Sequence, residues 1–249
     1  MEAVTSAMLA LLEPGRGEIV LELGCGVGAL GARVAQLVGP DGRVIVSDVA
    51  EGMVAAARRR LEPSSLPNVE LQVLDGEAID LPDASVDAVI CRMGYMLMPD
   101  PGGAFTEARR VLRSNGRLVF SVWGAAQQNV WASCLGIAVM QSGLDGGGDP
   151  FAPGGPFSLS DPSTLRALLS GAGFSDVQID EVDSPHVFED LESYWVKTTR
   201  LAGPLAVTLS DTPKEKLDEV KRNVSGLASQ YIASDGLVMP GRALVVRAS

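Results

Sequence analysis

Apolar and polar positions alternate with two different periods along the first half of the chain, which predicts strands and helices in turn. The short apolar runs with the composition of buried strands are 18–23, 43–47, 69–74, 86–91 and 116–123. The stretches between them in which apolar residues recur at helical spacing are 28–38, 50–61 and 101–112. This order predicts an α/β fold, a doubly wound parallel sheet with right-handed crossovers and helices on both faces.

Capping and turn residues support the boundaries of these elements. Asp100 and Pro101 predict the start of a helix, because an acidic N-cap precedes a proline in the first turn. Asn115 and Gly116 are expected to end that helix and to lead into the strand 117–123.

The pattern changes after Trp123, where residues 124–160 are rich in Gly, Pro, Gln and Trp. The later elements that the pattern predicts are a helix beginning at Asp161–Pro162, a strand 176–183, helices 189–202 and 213–231, and a last strand 243–247. We expect one domain over 1–249, in which the insertions 124–160 and 184–240 form a helical lid over an apolar pocket. The alternative is that their apolar side chains only pack the lid onto the body.

The composition argues against several classes of protein. With a net charge of −11, the chain lacks the clustered basic residues with which proteins bind nucleic acids. No apolar run is long enough to span a bilayer, and Met1 opens directly into an amphipathic helix. The three cysteines show neither a disulfide framework nor metal-ligand spacing, so we expect a cytoplasmic protein without a metal site.

The candidate chemistry begins in the segment 20–28, where a strand breaks into a glycine-rich turn before a helix. Glycines in such a turn let a ligand approach the backbone closely. Gly24, Gly26 and Ala29 also fit the dinucleotide fingerprint G-x-G-x-x-A, which leaves a nicotinamide-dependent dehydrogenase open as an alternative. Glu22 favours another ligand, because a carboxylate there repels a pyrophosphate and suits an ammonium and a sulfonium.

Polar residues also follow the next three strands, and ligands in open α/β sheets bind outside the carboxyl ends of strands. Asp48 is placed to accept hydrogen bonds from ribose hydroxyls. Asp75 lies where a side chain would contact the exocyclic amine and edge of adenine. Singly, each of these residues could be a turn or cap residue, whereas together they predict a nucleoside site. The full set is Asp48 after the second strand, Asp75, Gly76 and Glu77 after the third, and Arg92 and Met93 after the fourth.

These motifs resemble those of class I S-adenosylmethionine-dependent methyltransferases, and the chain is most similar to the ubiquinone/menaquinone C-methyltransferase-like group. The motifs that carry the resemblance are Glu22–Gly28, Ser47–Asp48, Leu74–Glu77 and Asn115–Leu118. The resemblance covers about residues 1–123. It implies S-adenosylmethionine as cofactor and a seven-stranded sheet in the order 3-2-1-4-5-7-6, with the last strand antiparallel.

The resemblance also implies a role for each matching residue. The implied cofactor-binding residues are Glu22 at the methionine ammonium, Gly24, Cys25 and Gly26 beside the amino acid portion, Asp48 and Val49 near the ribose, Met53 on the adenine, Asp75, Gly76 and Glu77 around the base, and Arg92 and Met93 on the sulfonium side. Many relatives close a longer N-terminal arm over the cofactor, whereas the first strand here begins near residue 18. We therefore expect the later insertions to close the site.

The acceptor is less constrained by the sequence. The segment after the fourth strand, 91–95, lacks the Asn/Asp-Pro-Pro-Tyr type of signature that marks amino-group methylation of nucleic acids. We expect a small, apolar or aromatic acceptor, methylated by in-line displacement. His186, the sole histidine, is the candidate catalytic residue, with an ordinary loop residue as the alternative. A binding or regulatory protein of the same fold is the alternative function, and a homodimer is compatible with the sequence.

Overall fold

The computed structural model describes residues 1–61, 66–201, 204–234 and 236–249. Its strands are β1 Ile19–Leu23, β2 Arg43–Asp48, β3 Val69–Val73, β4 Val86–Arg92, β5 Leu112–Trp123, β6 Val177–Asp183, β7 His186–Phe188, β8 Ile232–Ala233, β9 Gly236–Met239 and β10 Arg242–Ala248. Its helices are α1 Glu2–Leu12, α2 Ala29–Val38, α3 Glu51–Arg60, α4 Pro101–Val111, α5 Val130–Gln141, α6 Pro162–Gly171, α7 Leu191–Leu201, α8 Pro204–Ser210 and α9 Lys214–Ala228.

The main sheet has the strand order β3-β2-β1-β4-β5-β10-β6. Strands β1 to β5 pair in parallel, and β10 pairs antiparallel with both β5 and β6. Because β10 is the last strand of the chain, this is the order 3-2-1-4-5-7-6 with an antiparallel final strand. The fold prediction is therefore confirmed.

The central strands are buried on both faces, as the apolar runs of the sequence require. Val20 and Leu21 of β1 and Val89 and Ile90 of β4 have no exposed surface. Parallel strands covered by helices on both faces lose the alternation of polar and apolar residues for this reason. Polar side chains are left for the ends of these strands, where the candidate site lies.

Helices cover both faces of the sheet. Helices α1 and α2 lie on the face to which Glu22 points: α2 packs on β1 and β2, and α1 on β5, β10 and β6. Helix α4 lies on the opposite face, where the Phe105 ring packs 5.1 Å from that of Phe120. The N-cap prediction for α4 is confirmed, because the Asp100 carboxylate accepts the backbone N–H of Gly103 at 3.0 Å.

The junction between α4 and β5 differs from the sequence-based expectation. Helix α4 ends at Val111, and β5 begins at Leu112 and runs through Asn115 and Gly116. The β4–β5 register shifts between Val86 and Ala88, opposite this segment. The extra residues of β5 are therefore accommodated as an irregularity within a long strand, rather than as a separate turn.

The segments outside the main sheet hold more structure than the sequence indicated. Helix α5 forms within 124–160, and β7, β9 and β8 form a second antiparallel sheet within 184–240, so this insertion is not purely helical. Helix α9 ends at Ala228 rather than at 231. Residues 202, 203 and 235, which belong to the second predicted insertion, lie outside the described residues.

Helices α5 and α9 pack closely against each other and join the two insertions into one layer. The buried Tyr194 of α7 donates its hydroxyl to the carbonyl of Trp131 in α5 at 2.8 Å. In the part of the chain that the structure describes, no helix combines the length and apolarity needed to cross a bilayer.

Candidate functional site

The glycine-rich loop joins β1 to α2 at the carboxyl edge of the sheet. Gly24, Gly26 and Gly28 have φ values of 65°, 53° and 73°, in the left-handed region that favours glycine. A Cβ at Gly26 would meet no atom within 4 Å, so its backbone faces open space. The Cys25 N–H donates to the carbonyl of Ser47 at 2.8 Å, which ties the loop to the end of β2.

Cys25 takes part in this loop through its backbone. Its side chain is only 5% exposed, and burial raises the pKa of its thiol to about 12. A thiol with this pKa stays protonated and unreactive at neutral pH. The position thus fits backbone contact with a ligand, and its thiol is not suited to nucleophilic chemistry.

Glu22 lies beneath the loop and is 2% exposed. Its Oε2 atom is buried and has no hydrogen-bond partner among the described residues. Burial raises its pKa to about 8; Arg92 and the Gly31 N–H oppose the rise, and Asp48 adds to it. A buried, unpaired carboxyl group of this kind is ready to receive a cation.

Asp48 ends β2 and faces the same loop. Its Oδ2 atom accepts the Gly26 N–H at 2.9 Å, and its Oδ1 atom accepts the Ala50 N–H at 3.0 Å. Each carboxylate oxygen keeps a second lone pair, so both can still accept bonds from hydroxyl groups. Beside it, Val49 and Met53 are 67% and 47% exposed, which leaves apolar surface next to the carboxylate.

The segment after β3 lies next to Asp48, because the Leu74 N–H donates to the Asp48 carbonyl at 3.2 Å. Asp75 is exposed and accepts the backbone N–H of Glu77 at 2.9 Å. The Glu77 carboxylate in turn accepts the backbone N–H of Asp100. Gly76 is buried under Met98, whose Cε atom would lie 2.6 Å from a Cβ at that position.

Arg92 and Met93 follow β4 at the same edge. The Arg92 Nη1 atom donates to the Thr5 hydroxyl of α1 at 2.8 Å, and its side chain is partly buried. Met93 has a φ of 59°, a strained conformation for a residue with a side chain. Strained residues cluster at binding sites, where the surrounding structure holds them in place.

His186 lies apart from these residues along the sequence, in β7 after the end of β6. Its ring stacks on Trp131 at 4.1 Å and lies 5.7 Å from the ring of Trp123, the last residue of β5. Its Nε2 atom is buried without a hydrogen-bond partner among the described residues. Burial lowers its pKa to about 4, with a smaller contribution from the N-terminal ammonium, so the imidazole is neutral at pH 7.

The structure thus brings the predicted residues after β1, β2, β3 and β4 to one edge of the sheet, with His186 in the layer formed by the insertions. No group of three or more potential metal-ligating side chains is present in the described ranges. Sequence reasoning assigned no contact to Ser47, a buried hydroxyl that donates to the Glu22 carbonyl at 2.7 Å. A polar side chain within an otherwise apolar strand could have indicated this role for Ser47. The contact of Thr5 with Arg92 joins residues 87 positions apart, and no local pattern in the sequence indicates it.

Comparison with known proteins places this chain among methyltransferases. Residues 20–116 match a family model described as a methyltransferase domain. Aklanonic acid methyltransferase of a Streptomyces species is 35% identical over 114 residues, which cover 46% of this chain and 52% of that protein. The ubiquinone/menaquinone biosynthesis C-methyltransferase UbiE of Cronobacter sakazakii is 29% identical over 171 residues, covering 65% of this chain and 68% of the relative.

The chain spans about half or less of the length of several curated relatives that it matches. Among solved structures, the YcgJ protein of Bacillus subtilis superposes with a TM-score of 0.68 at 18% identity. The superposition covers 100% of this chain and 98% of that protein. At this level of identity the likeness establishes a shared fold.

Proposed function

The chain carries a class I S-adenosylmethionine-dependent methyltransferase domain, and from this premise we propose that it transfers a methyl group from S-adenosylmethionine to a small, apolar or aromatic molecule. The observation that carries the proposal is the edge of the sheet at β1 and β2. There the buried carboxyl of Glu22, the open backbone of Gly26 and the carboxylate of Asp48 adjoin one another.

The residues at this edge fit the chemical groups of the cofactor. Glu22 offers an unpaired buried oxygen to an ammonium group, and both oxygens of Asp48 can accept hydrogen bonds from ribose hydroxyls. The exposed apolar surfaces of Val49 and Met53 suit an adenine ring, which is planar and largely apolar on its faces. Asp75, Gly76 and Glu77 extend the same site toward the far edge of the base.

The electrostatics of the edge favour this cofactor over a dinucleotide. Glu22 and Asp48 lie close enough for the charge of Asp48 to raise the pKa of Glu22. Asp48 repels a pyrophosphate, and a cationic ligand beside Glu22 lowers the pKa of that carboxyl, so that Glu22 ionises as it binds an ammonium. We therefore assign the glycine loop to S-adenosylmethionine and not to a nicotinamide cofactor.

When bound, the cofactor supplies a methyl group on a cationic sulfur that leaves as a neutral thioether. The protein then contributes to catalysis mainly by holding the acceptor atom in line with the methyl group at attack distance. Such positioning can lower the activation free energy by about 7–11 kcal/mol. The rigid strand ends and the strained backbone at Met93 fix one side of this geometry. We propose that the insertions 124–160 and 184–240 fix the other side and exclude water.

The acceptor side is aromatic in character. Trp123 at the end of β5, Trp131 of α5 and His186 of β7 pack ring to ring, joining the main sheet to both insertions. The Nε2 atom of His186 has no hydrogen-bond partner among the described residues, and in the tautomer with the proton on Nδ1 it would accept a hydrogen bond from a hydroxyl on an aromatic acceptor. We propose that His186 receives this proton, a role suited to an acidic hydroxyl because the histidine pKa is about 4.

The three cysteines are buried free thiols, which suits a reducing compartment, and we propose a cytoplasmic location on that basis. The proposed activity is tested by incubating the full chain with methyl-labelled S-adenosylmethionine and a panel of phenols, quinones, amines and carboxylates. Labelled product from a phenol or quinone supports the proposal. Cofactor binding with no transfer to any member of the panel would favour a binding or regulatory protein of the same fold.

A further inference from the structure

Glu22 and Arg92 are an acidic and a basic side chain on one face of the sheet, and they do not pair with each other. Glu22 is in register with Ile90 across β1 and β4, and Arg92 follows two residues later, so both side chains project to the same face. They interact at a distance, because Arg92 lowers the pKa of Glu22. Among the described residues, however, neither forms a salt bridge.

The guanidinium of Arg92 is anchored by a neutral group instead. Its Nη1 atom donates to the Thr5 hydroxyl at 2.8 Å, and that hydroxyl donates its own proton to the Met1 carbonyl at 3.1 Å. A hydroxyl has one proton to donate, so this arrangement uses it fully. Arg92 is thus fixed in direction while its positive charge stays uncompensated by any carboxylate within salt-bridge distance in the described ranges.

An uncompensated cation and an unpaired buried carboxyl on one face match a zwitterion. The methionine part of the cofactor carries an α-ammonium and an α-carboxylate on the same carbon. A ligand carboxylate beside Glu22 and Asp48 alone would be repelled, so its binding requires a cation nearby. Arg92 supplies one at the end of β4, the strand next to β1.

We propose that Arg92 binds the α-carboxylate of the cofactor while Glu22 binds its α-ammonium, and that Thr5 of α1 is the positioning residue for Arg92. The proposal rests on the proposed function. It extends the cofactor site to α1, which lies outside the matched domain 20–116. It also replaces the expected role of Arg92 at the sulfonium, where a second cation would be unfavourable.

The test uses titration calorimetry of the full chain with two ligands, S-adenosylmethionine and its decarboxylated form. The wild-type protein should prefer the carboxylated ligand. Arg92→Met should weaken S-adenosylmethionine binding by about 10- to 100-fold, the range expected for a charged hydrogen bond. The same variant should bind the decarboxylated ligand as well as the wild type does or more tightly, because a cation no longer repels that ligand.

Two further variants separate this role from a structural one. Arg92→Lys should restore part of the preference for the carboxylated ligand, since the charge returns without the fork geometry. Thr5→Val should reduce that preference while Thr5→Ser retains it, with the melting temperature recorded for every variant.

The outcomes distinguish the inference from the proposed function. If Arg92→Met weakens both ligands equally, or weakens neither, the carboxylate assignment is wrong while the cofactor assignment stands. If the wild-type protein binds neither ligand, the proposed function is wrong and the inference falls with it.

Discussion

Glu22 lies in the interior of the molecule, and its burial carries a cost in stability. Burial raises the pKa of Glu22 in the folded protein to about 8, from its ordinary value of 4.5. Between these two pH values the unfolded chain has lost the proton that the folded chain keeps. Stability therefore falls as the pH rises through this window and levels off above pH 8.

Glu22→Gln removes the titrating group, so it should abolish this pH dependence. We expect the variant to be more stable than the wild type at pH 9, and this difference to disappear as the pH falls below 4.5, as measured by differential scanning calorimetry. Its affinity for S-adenosylmethionine should fall, because the ammonium loses its charged partner. Glu189→Gln, at an exposed position, is the control and should change neither property. Equal stability of Glu22→Gln and wild type at pH 9 would contradict the account of Glu22.

Asp48 at the end of β2 can be compared with an aspartate in the turn that precedes this strand. Asp48→Ala removes the proposed acceptor of ribose hydroxyls, and we expect a loss of about 10-fold or more in affinity for S-adenosylmethionine by calorimetry. Asp41→Ala, at an exposed turn before the opposite end of β2, should leave the affinity unchanged. Similar affinities for the two variants would show that Asp48 only organises the turn.

His186 tests the acceptor side of the site. His186→Phe keeps an aromatic ring to stack on Trp131 while removing the orphaned nitrogen. For a hydroxylated aromatic acceptor we expect methyl transfer to fall by at least about 10-fold, with affinity for S-adenosylmethionine retained. Full activity of the variant would assign His186 to packing alone.

At the scale of elements, helix α2 can approach β1 only because position 31 is a glycine. A Cβ at Gly31 would collide with the Glu22 Oε2 atom and with the Val46 side chain. Gly136 of α5 is also helical, but a Cβ there would meet nothing within 4 Å. The two glycines therefore predict opposite responses to the same substitution.

Gly136→Ala should stabilise the protein by about 0.5–1 kcal/mol, the usual gain from replacing glycine in a helix. Gly31→Ala should destabilise it and weaken cofactor binding, because Glu22 must move. Chemical denaturation and calorimetry measure both effects. A stabilising Gly31→Ala with unchanged affinity would contradict the placement of Glu22 against α2.

Elements with local signals could be predicted from the sequence, and those formed by distant contacts could not. Asp100 indicates the start of α4 in the sequence, because it is an N-cap residue that accepts a hydrogen bond from the first turn of the helix. The strand pairings β7–β9 and β8–β9 join short segments whose apolar character has no clear period. Asn115 and Gly116 have turn chemistry, yet they lie within β5, at the irregularity between the paired positions Leu112 and Arg117. Tertiary contacts override local preference in such places.

At the scale of the whole molecule, the order of the sheet follows from the alternation of strands and helices together with a recognised family pattern. The candidate cofactor site follows from strand ends alone, because all parallel strands end at the same edge. The acceptor side could not be read in this way. The proposed acceptor side involves contacts among α5, α7 and α9, in which residues such as Tyr194 and Trp131 are far apart in sequence.

The cofactor assignment also predicts a global effect on stability. A ligand that binds only the folded state, at a free concentration of 100 times its Kd, adds about 2.7 kcal/mol to the free energy of unfolding. For a domain of this size, this raises the Tm by about 5–10 °C. S-adenosylmethionine and its demethylated product should both produce this shift, and NAD should not. The shift is measured by scanning calorimetry at matched ligand concentrations.

The most direct test of the central claim is titration calorimetry of the wild-type chain with S-adenosylmethionine, followed by competition with S-adenosylhomocysteine and a separate titration with NAD. The account predicts one S-adenosylmethionine bound per chain, displacement by the demethylated product, and no heat of binding from NAD. Binding of NAD without binding of S-adenosylmethionine would contradict it.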